Sequence, residues 1–275
     1  MTTQTTIHKY SQIDNTAIIT KQPDIVADEA ALQLYIVYYV ENKPYKIHLT
    51  TLMRSSGDDE DLIVGLLFNE NIISYYSQIT SISKLGKNNE NLWKVELSID
   101  CKFNPEQHRR NLLATASCGV CSQVNHPDII DEEKPVGDSF KISIKNILFM
   151  AQDFGRYQQN FKKTGGVHGV AVYDLTAKYI ISAEDIGRHN ACDKVIGKLL
   201  KQNLLTNADN YCLIFSSRIS YELIQKAQQA KIKIILALGA PSSLAVNLAQ
   251  QYQMTLIGFI RNNSFNVYSG NERIE

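Results

Sequence analysis

Tyr211-Cys212-Leu213-Ile214-Phe215-Ser216, Lys233-Ile234-Ile235-Leu236-Ala237-Leu238 and Met254-Thr255-Leu256-Ile257-Gly258-Phe259-Ile260 are three short apolar runs in the last third of the chain. Each is of strand length, and the segments between them, Tyr221–Ala230 and Ser243–Gln253, read as helices. A β-α-β-α-β run implies a parallel sheet with right-handed crossovers. Ligands of such sheets bind beyond the carboxyl ends of the strands. Those ends are Ser216-Ser217-Arg218, Gly239-Ala240-Pro241-Ser242 and Phe259-Ile260-Arg261-Asn262-Asn263-Ser264. Their glycine, hydroxyl and arginine content suits a phosphate-bearing ligand, and equally suits ordinary loops with helix caps.

Upstream of that run, Asn190–Gln202 reads as a helix with Ala191, Val195, Ile196 and Leu199 on one face. Gly169–Tyr173 and Tyr179–Ala183 form a short hairpin around Asp174-Leu175-Thr176-Ala177, and Ser143–Lys162 is expected as one helix. Residues 101–136 lack periodicity and carry Pro105, Pro127 and Pro135, as a long connecting segment would. The first hundred residues are mostly β. Leu32, Leu34, Ile36, Tyr38 and Val40 alternate with other side chains, and Tyr45, Ile47 and Leu49 resume the alternation after Glu41-Asn42-Lys43-Pro44. Ser56-Gly57-Asp58 then opens a helix whose first turn holds Asp59, Glu60 and Asp61, followed by strands near Ser77–Lys84 and Leu92–Asp100. The expected division is a loosely held arm over 1–30, a β-rich subdomain over 31–115, a mobile loop over 116–136 and an α/β domain over 137–275.

With 275 residues, 44% of them apolar, the chain can bury a sizeable core. A formal charge of zero argues against a sequence-blind nucleic-acid binder. Met1–Thr16 has no apolar centre, so no signal peptide is expected, and no apolar run reaches the roughly 20 residues of a membrane helix. Five cysteines without a secretory leader point to a reduced, cytoplasmic protein.

Two of the five, Cys118 and Cys121, flank Gly119-Val120. Such spacing lets both sulfurs reach one atom: a metal, each other, or a sulfur in transit. Structural zinc wants four ligands, and only His108 and His126 lie near, with no second cysteine pair. A thioredoxin-type dithiol normally sits between a strand and a helix, whereas this pair falls in the irregular segment. A sulfur carrier needs a thiolate on a mobile, exposed loop, helped by nearby cations such as Arg109 and Arg110. All three readings stand on spacing alone. Cys192 and Cys212 fall within apolar-patterned elements and read as core thiols.

Two further segments concentrate chemistry. Thr164-Gly165-Gly166-Val167-His168-Gly169 has paired glycines before a strand, which serve either close backbone approach or a simple turn. Glu184-Asp185-Ile186-Gly187-Arg188-His189-Asn190 packs acids, an arginine and a histidine at a helix start. Capping explains part of it. The density of polar groups after a buried strand makes Asp185, Arg188 and His189 candidate site residues.

These segments occur in a fixed order together with Ser56-Gly57-Asp58-Asp59-Glu60, Ser217-Arg218-Ile219-Ser220-Tyr221-Glu222, Ala240-Pro241-Ser242-Ser243-Leu244-Ala245, Gly258-Phe259-Ile260-Arg261 and Phe265-Asn266-Val267-Tyr268. In combination the pattern resembles the formate dehydrogenase accessory sulfurtransferase family, FdhD, from about residue 31 to 268. The resemblance implies an α/β protein with a cytidine deaminase-like three-layer C-terminal domain and a smaller β-rich N-terminal subdomain, typically a homodimer. It implies persulfide sulfur taken from a cysteine desulfurase and passed to the molybdenum (or tungsten) bis(molybdopterin guanine dinucleotide) cofactor of formate dehydrogenase. That cofactor is a bound substrate, and no permanently held metal is expected. By position Cys118 would carry the persulfide, with Cys121 assisting. Phe259, Ile260, Arg261, Asn262, Asn263 and Ser264 fall where the family contacts the guanine nucleotide. Ser122 stands where the family usually has glycine.

Two other classes share part of this pattern. A zinc-dependent nucleobase deaminase would need His-x-Glu or Cys-x-Glu and Pro-Cys-x-x-Cys, yet His168 is followed by Gly169-Val170, and Ser117 precedes Cys118. A non-catalytic chaperone would bind the dinucleotide without using the thiols.

Overall fold

The computed structural model describes residues 2–13, 16–86, 91–106 and 140–275. Its first two strands, β1 (Thr2–Ile13) and β2 (Thr16–Ala27), pair antiparallel through their full length. The first 30 residues were expected as a loose arm. They show little of the in-out burial alternation that marks a half-buried strand, because most side chains on both faces of this ribbon are exposed. Threonine and isoleucine nonetheless favour extended backbone.

β3 (Ala30–Val40) and β4 (Lys43–Arg54) form the expected hairpin, and β5 (Ile79–Lys84) and β6 (Leu92–Leu97) complete a four-stranded sheet ordered β4-β3-β6-β5. Between β4 and β5 runs α1 (Asp59–Asn69), buried from Leu62 to Phe68. Its neighbour is α4 (Arg188–Lys201), and the two helices cross at glycine on each side. A Cβ on Gly65 would overlap the carbonyl of Asp193, and one on Gly197 the carbonyl of Asp61. Helix backbones approach this closely only where side chains are missing.

The second sheet has six strands in the order β12-β11-β10-β9-β7-β8. β7 (His168–Asp174) and β8 (Tyr179–Asp185) are the expected hairpin. β9 (Tyr211–Phe215), β10 (Ile234–Ala237) and β11 (Thr255–Gly258) are the expected parallel strands, joined by α5 (Tyr221–Gln229) and α6 (Ser243–Gln251). A last strand, β12 (Asn266–Ser269), pairs antiparallel with β11. One face of the sheet, with Val170, Leu213, Ile235 and Leu256, packs on α4, α5 and α6 in a core continuous with α1 and the first sheet. The other face, with Tyr173, Ile214, Leu236 and Ile257, packs on α2 (Ile144–Phe154). Helices thus cover both faces of a mixed α/β sheet. Among the described residues no helix is long and apolar enough to cross a membrane.

The single helix expected over Ser143–Lys162 is broken. After α2 comes one tight turn, Gly155–Tyr157, and then α3 (Gln159–Thr164), with Gln158 at φ −100°, ψ 61°. Glu184 supplies the reason. Its carboxylate accepts from the backbone amides of Asn160 (2.8 Å) and Phe161 (2.9 Å), so these two N–H groups find a partner outside the helix.

Candidate functional site

At the carboxyl ends of β9 and β10 the two following loops hold each other. Ile219 N donates to Ala240 O (3.0 Å) and Ser242 N to Ile219 O (2.9 Å). Gly239 makes this approach feasible, since a Cβ there would meet Ser217 O at 2.7 Å. Above the clasp lies an open cleft of about 310 Å³, lined by Arg188, Arg218, Ser220 and Ser242 together with Ile219 and Pro241. Ser220 and Ser242 are the N-cap residues of α5 and α6. Ser242 Oγ accepts from Ala245 N, while Ser220 Oγ lies 3.1 Å from His189 Nε2.

Two arginines dominate the electrostatics. Arg188, at the start of α4, has a buried Nε without a hydrogen-bond partner. Arg218 is exposed, and neither guanidinium is ion-paired among the described residues. Nearby acids are already engaged. The His189 ring, 3.7 Å from Glu222, holds that carboxyl far below the usual carboxylate range, at about 2. Guanidinium groups without a carboxylate partner among the described residues, set over two helix N-termini, are the chemistry that suits a phosphate-like oxyanion.

The candidate residues divide clearly. Arg188 lines the cleft and His189 borders it through Ser220. Asp185 does neither. It is fully buried, 2.7 Å from Lys194 Nζ, and accepts from Ser55 N (3.1 Å), Gly187 N (2.8 Å) and Asn190 Nδ2 (3.0 Å). Its work is to hold the turn that presents Arg188. Phe259–Ser264 follows β11 beside the cleft: Phe259 N donates to Gly239 O (3.0 Å), and Phe259 is held at φ 53° with its side chain 42% exposed. That conformation is uncommon for an aromatic residue. Ile260 is buried, Arg261 Nη1 donates to Leu238 O (2.7 Å) and Ile260 O (2.9 Å), and Asn262, Asn263 and Ser264 are exposed.

Cys118 and Cys121 lie outside the described residues. The other three cysteines are buried, and burial pushes each thiol up: Cys101, whose Sγ donates to Ile72 O, and the core thiols Cys192 and Cys212. None of these three is suited to thiolate chemistry. Sequence reasoning singled out Arg188 but not Arg218 or Ser220 as individual site residues. Their signal was present in the rule that ligands sit at strand carboxyl ends.

The chain is thus a mixed α/β protein with an arginine-lined cleft at the carboxyl edge of its larger sheet. The relatives define it further. The FdhD/NarQ family model matches residues 28–275, and the chain belongs to that family. It is 34% identical to a sulfur carrier protein FdhD from Picrophilus torridus over 94% of this chain and 97% of the relative. A second sulfur carrier protein FdhD, from Corynebacterium efficiens, is 34% identical over 92% of this chain and 91% of its own length. In fold the chain matches a crystal structure described as that of a formate dehydrogenase accessory protein from Desulfotalea psychrophila, with TM-score 0.71, 20% identity and 99% of both chains covered.

Proposed function

We propose that this protein is a cytoplasmic sulfurtransferase that takes persulfide sulfur from a cysteine desulfurase and delivers it to a molybdenum bis(molybdopterin guanine dinucleotide) cofactor destined for formate dehydrogenase. The observation that carries the reading is the pair of guanidinium groups, Arg188 and Arg218, not ion-paired to any described residue and set above the α5 and α6 N-termini. A dinucleotide presents diphosphates, and these find charge-assisted donors there. Phe259 to Ser264 then flank the ligand, with Arg188 and His189 beneath it and Asp185 acting through the turn it braces. The names of the relatives, sulfur carrier protein and formate dehydrogenase accessory protein, support the same assignment. The C-terminal sheet, a hairpin beside three parallel strands with helices on both faces, supports a cytidine deaminase-like arrangement. A homodimer is the expected assembly.

From this chain the chemistry needs only the two thiols, with a persulfide donor and a dithiol reductant as co-reactants. Cys118 thiolate attacks the terminal sulfur of the desulfurase persulfide, forming Cys118–S–SH and releasing the desulfurase thiolate. Release of the sulfur as sulfide requires two electrons. Cys121 supplies them by attacking the inner sulfur, so that hydrosulfide leaves toward the metal and a Cys118–Cys121 disulfide remains for a dithiol reductant to reopen. Incubation with a cysteine desulfurase and cysteine should add about 32 Da to the peptide holding Cys118, one sulfur atom per persulfide. If Cys118→Ala and Cys121→Ala both leave formate dehydrogenase maturation intact, sulfur transfer is the wrong function.

A further inference from the structure

We propose that β1 is the docking edge for a second copy of this chain, the two ribbons joining across a two-fold axis into one four-stranded sheet ordered β2-β1-β1-β2. This rests on the homodimer expected above and names its interface. Among the described residues β1 and β2 pair only with each other, in unbroken register from Thr2 with Ala27 to Ile13 with Thr16. At about 3.4 Å per residue the ribbon is about 40 Å long. A two-stranded ribbon is marginal in water by itself. This one exposes Tyr10 (72%), Ile19 (58%), Ile25 and Val26. Its root, by contrast, is fixed. Ser56 Oγ donates to Asp28 Oδ2 (2.7 Å), Arg54 Nη1 donates to Ala30 O (3.1 Å), and Ala27 lies against Gly166, just after α3. The ribbon also lies outside residues 28–275, the span that the family model matches.

Of the two edges, β1 is the one open to another strand. β2 carries Pro23, which has no N–H to give, and its Ile25 amide is spent on Asp24 Oδ1 (2.9 Å). The end of β2 also runs alongside α3. β1 has no proline, glycine or carboxylate from Thr2 to Ile13, and its threonines, isoleucines and tyrosine favour extended backbone. Laid antiparallel against its own copy, such a strand forms about one backbone hydrogen bond per residue, roughly ten in all. That is the complement of a specific interface of standard size, about ten direct hydrogen bonds. A two-fold axis makes the contact self-complementary, so one edge supplies both sides. Charge favours the same occupant. Over residues 2–27, Lys9 and Lys21 balance Asp14 and Asp24. Two copies therefore do not repel each other, and nothing on the ribbon selects a strongly acidic or basic partner.

Sedimentation velocity on the full chain reads the occupant directly. Thr6 and Tyr10 are exposed and flank the middle of β1, so in a centred antiparallel pair each lies close to the other residue of the second copy. Wild type should sediment as a dimer at micromolar concentration. Thr6→Lys with Tyr10→Lys should weaken the dimer by about tenfold or more, and so should Thr6→Glu with Tyr10→Glu, because like charges then face each other. An equimolar mixture of the two variants should dimerise again, less tightly as salt rises. A variant that merely misfolds gives no such rescue. A lysine variant that stays fully dimeric, or a mixture that stays monomeric, overturns the β1 edge and leaves the homodimer standing. A wild-type chain that grows into open-ended polymers overturns the two-fold pairing. A wild-type chain that is monomeric at every concentration, or that pairs only with the desulfurase, overturns the edge and the homodimer together. The mass gain on the Cys118 peptide is read in either case, so the sulfur-transfer reading stands or falls separately.

Discussion

Lys194 Nζ lies 2.7 Å from Asp185 Oδ2, and neither side chain reaches solvent. Ion pairs this deep survive only when every remaining polar valence is filled. Here Lys194 also donates to Ser55 O (3.0 Å) and Glu184 O (3.4 Å), while Asp185 takes three further donors. The pair fastens the turn after β4 to the turn that carries Arg188, linking the two sheets at the rim of the cleft. Lys194→Met leaves a buried carboxylate without its cation and is expected to cost about 3–5 kcal/mol. Chemical denaturation measures the loss, and Asp185→Asn should cost a comparable amount, because it strands the buried Lys194 ammonium and its one amide oxygen replaces only one of the two carboxylate oxygens that accept from Ser55 and Gly187.

The crossing of α1 and α4 gives a second prediction. Gly197→Ala places a methyl group on the Asp61 carbonyl, so the helices must separate. Although alanine is the better helix former by about 1 kcal/mol, overpacking should outweigh that gain and destabilise by about 1–3 kcal/mol. A rise in melting temperature for Gly197→Ala would show that the helices are not this close.

Arg218 is exposed and unpaired among the described residues, so its removal tests binding without a penalty to the fold. Arg218→Gln should change stability by less than about 0.5 kcal/mol. GDP affinity should fall by about ten- to a hundredfold, the worth of a charge-assisted contact of about 1.5–3 kcal/mol. Isothermal calorimetry at two salt concentrations reads both the loss and a shallower salt slope.

Glu222 makes stability pH-dependent in a stated direction. Its folded-state pKa, about 2, lies below the ordinary 4.5, chiefly through His189. A depressed carboxyl stabilises fully above the unfolded value and loses that contribution as pH falls through the folded one. Wild type should therefore exceed Glu222→Gln in stability above about pH 4.5 and converge with it as pH drops toward 2. A stability gap that widens on acidification would contradict the assignment.

Helix and strand identities were largely legible where period and length agreed. The alternation of β3, the apolar stripe of α4 and the three parallel strands need only local pattern, and the structure forms them within a residue or two of the expected bounds. Cys192 and Cys212 are buried as their apolar surroundings implied. The break between α2 and α3 was not legible, because the carboxylate that captures the α3 amides belongs to Glu184, more than twenty residues away. Nor was β12, whose pairing with β11 has a register shift and leaves its side chains mostly half-exposed.

The linear order of residues determined by itself that a parallel α/β segment occupies the last third of the chain, that its strand carboxyl ends carry arginine and hydroxyl groups, and that Cys118 and Cys121 are spaced to reach one atom. Tertiary structure alone decided which polar groups line the cleft and which are spent within the protein. Asp185 and Arg188 are three positions apart and equally polar, yet one is sealed against Lys194 and the other lines the cleft. The physical reason is that burial and charge pairing depend on distant partners such as Ser55, Lys194 and Ser220, which chain folding brings within hydrogen-bonding distance and no local periodicity encodes.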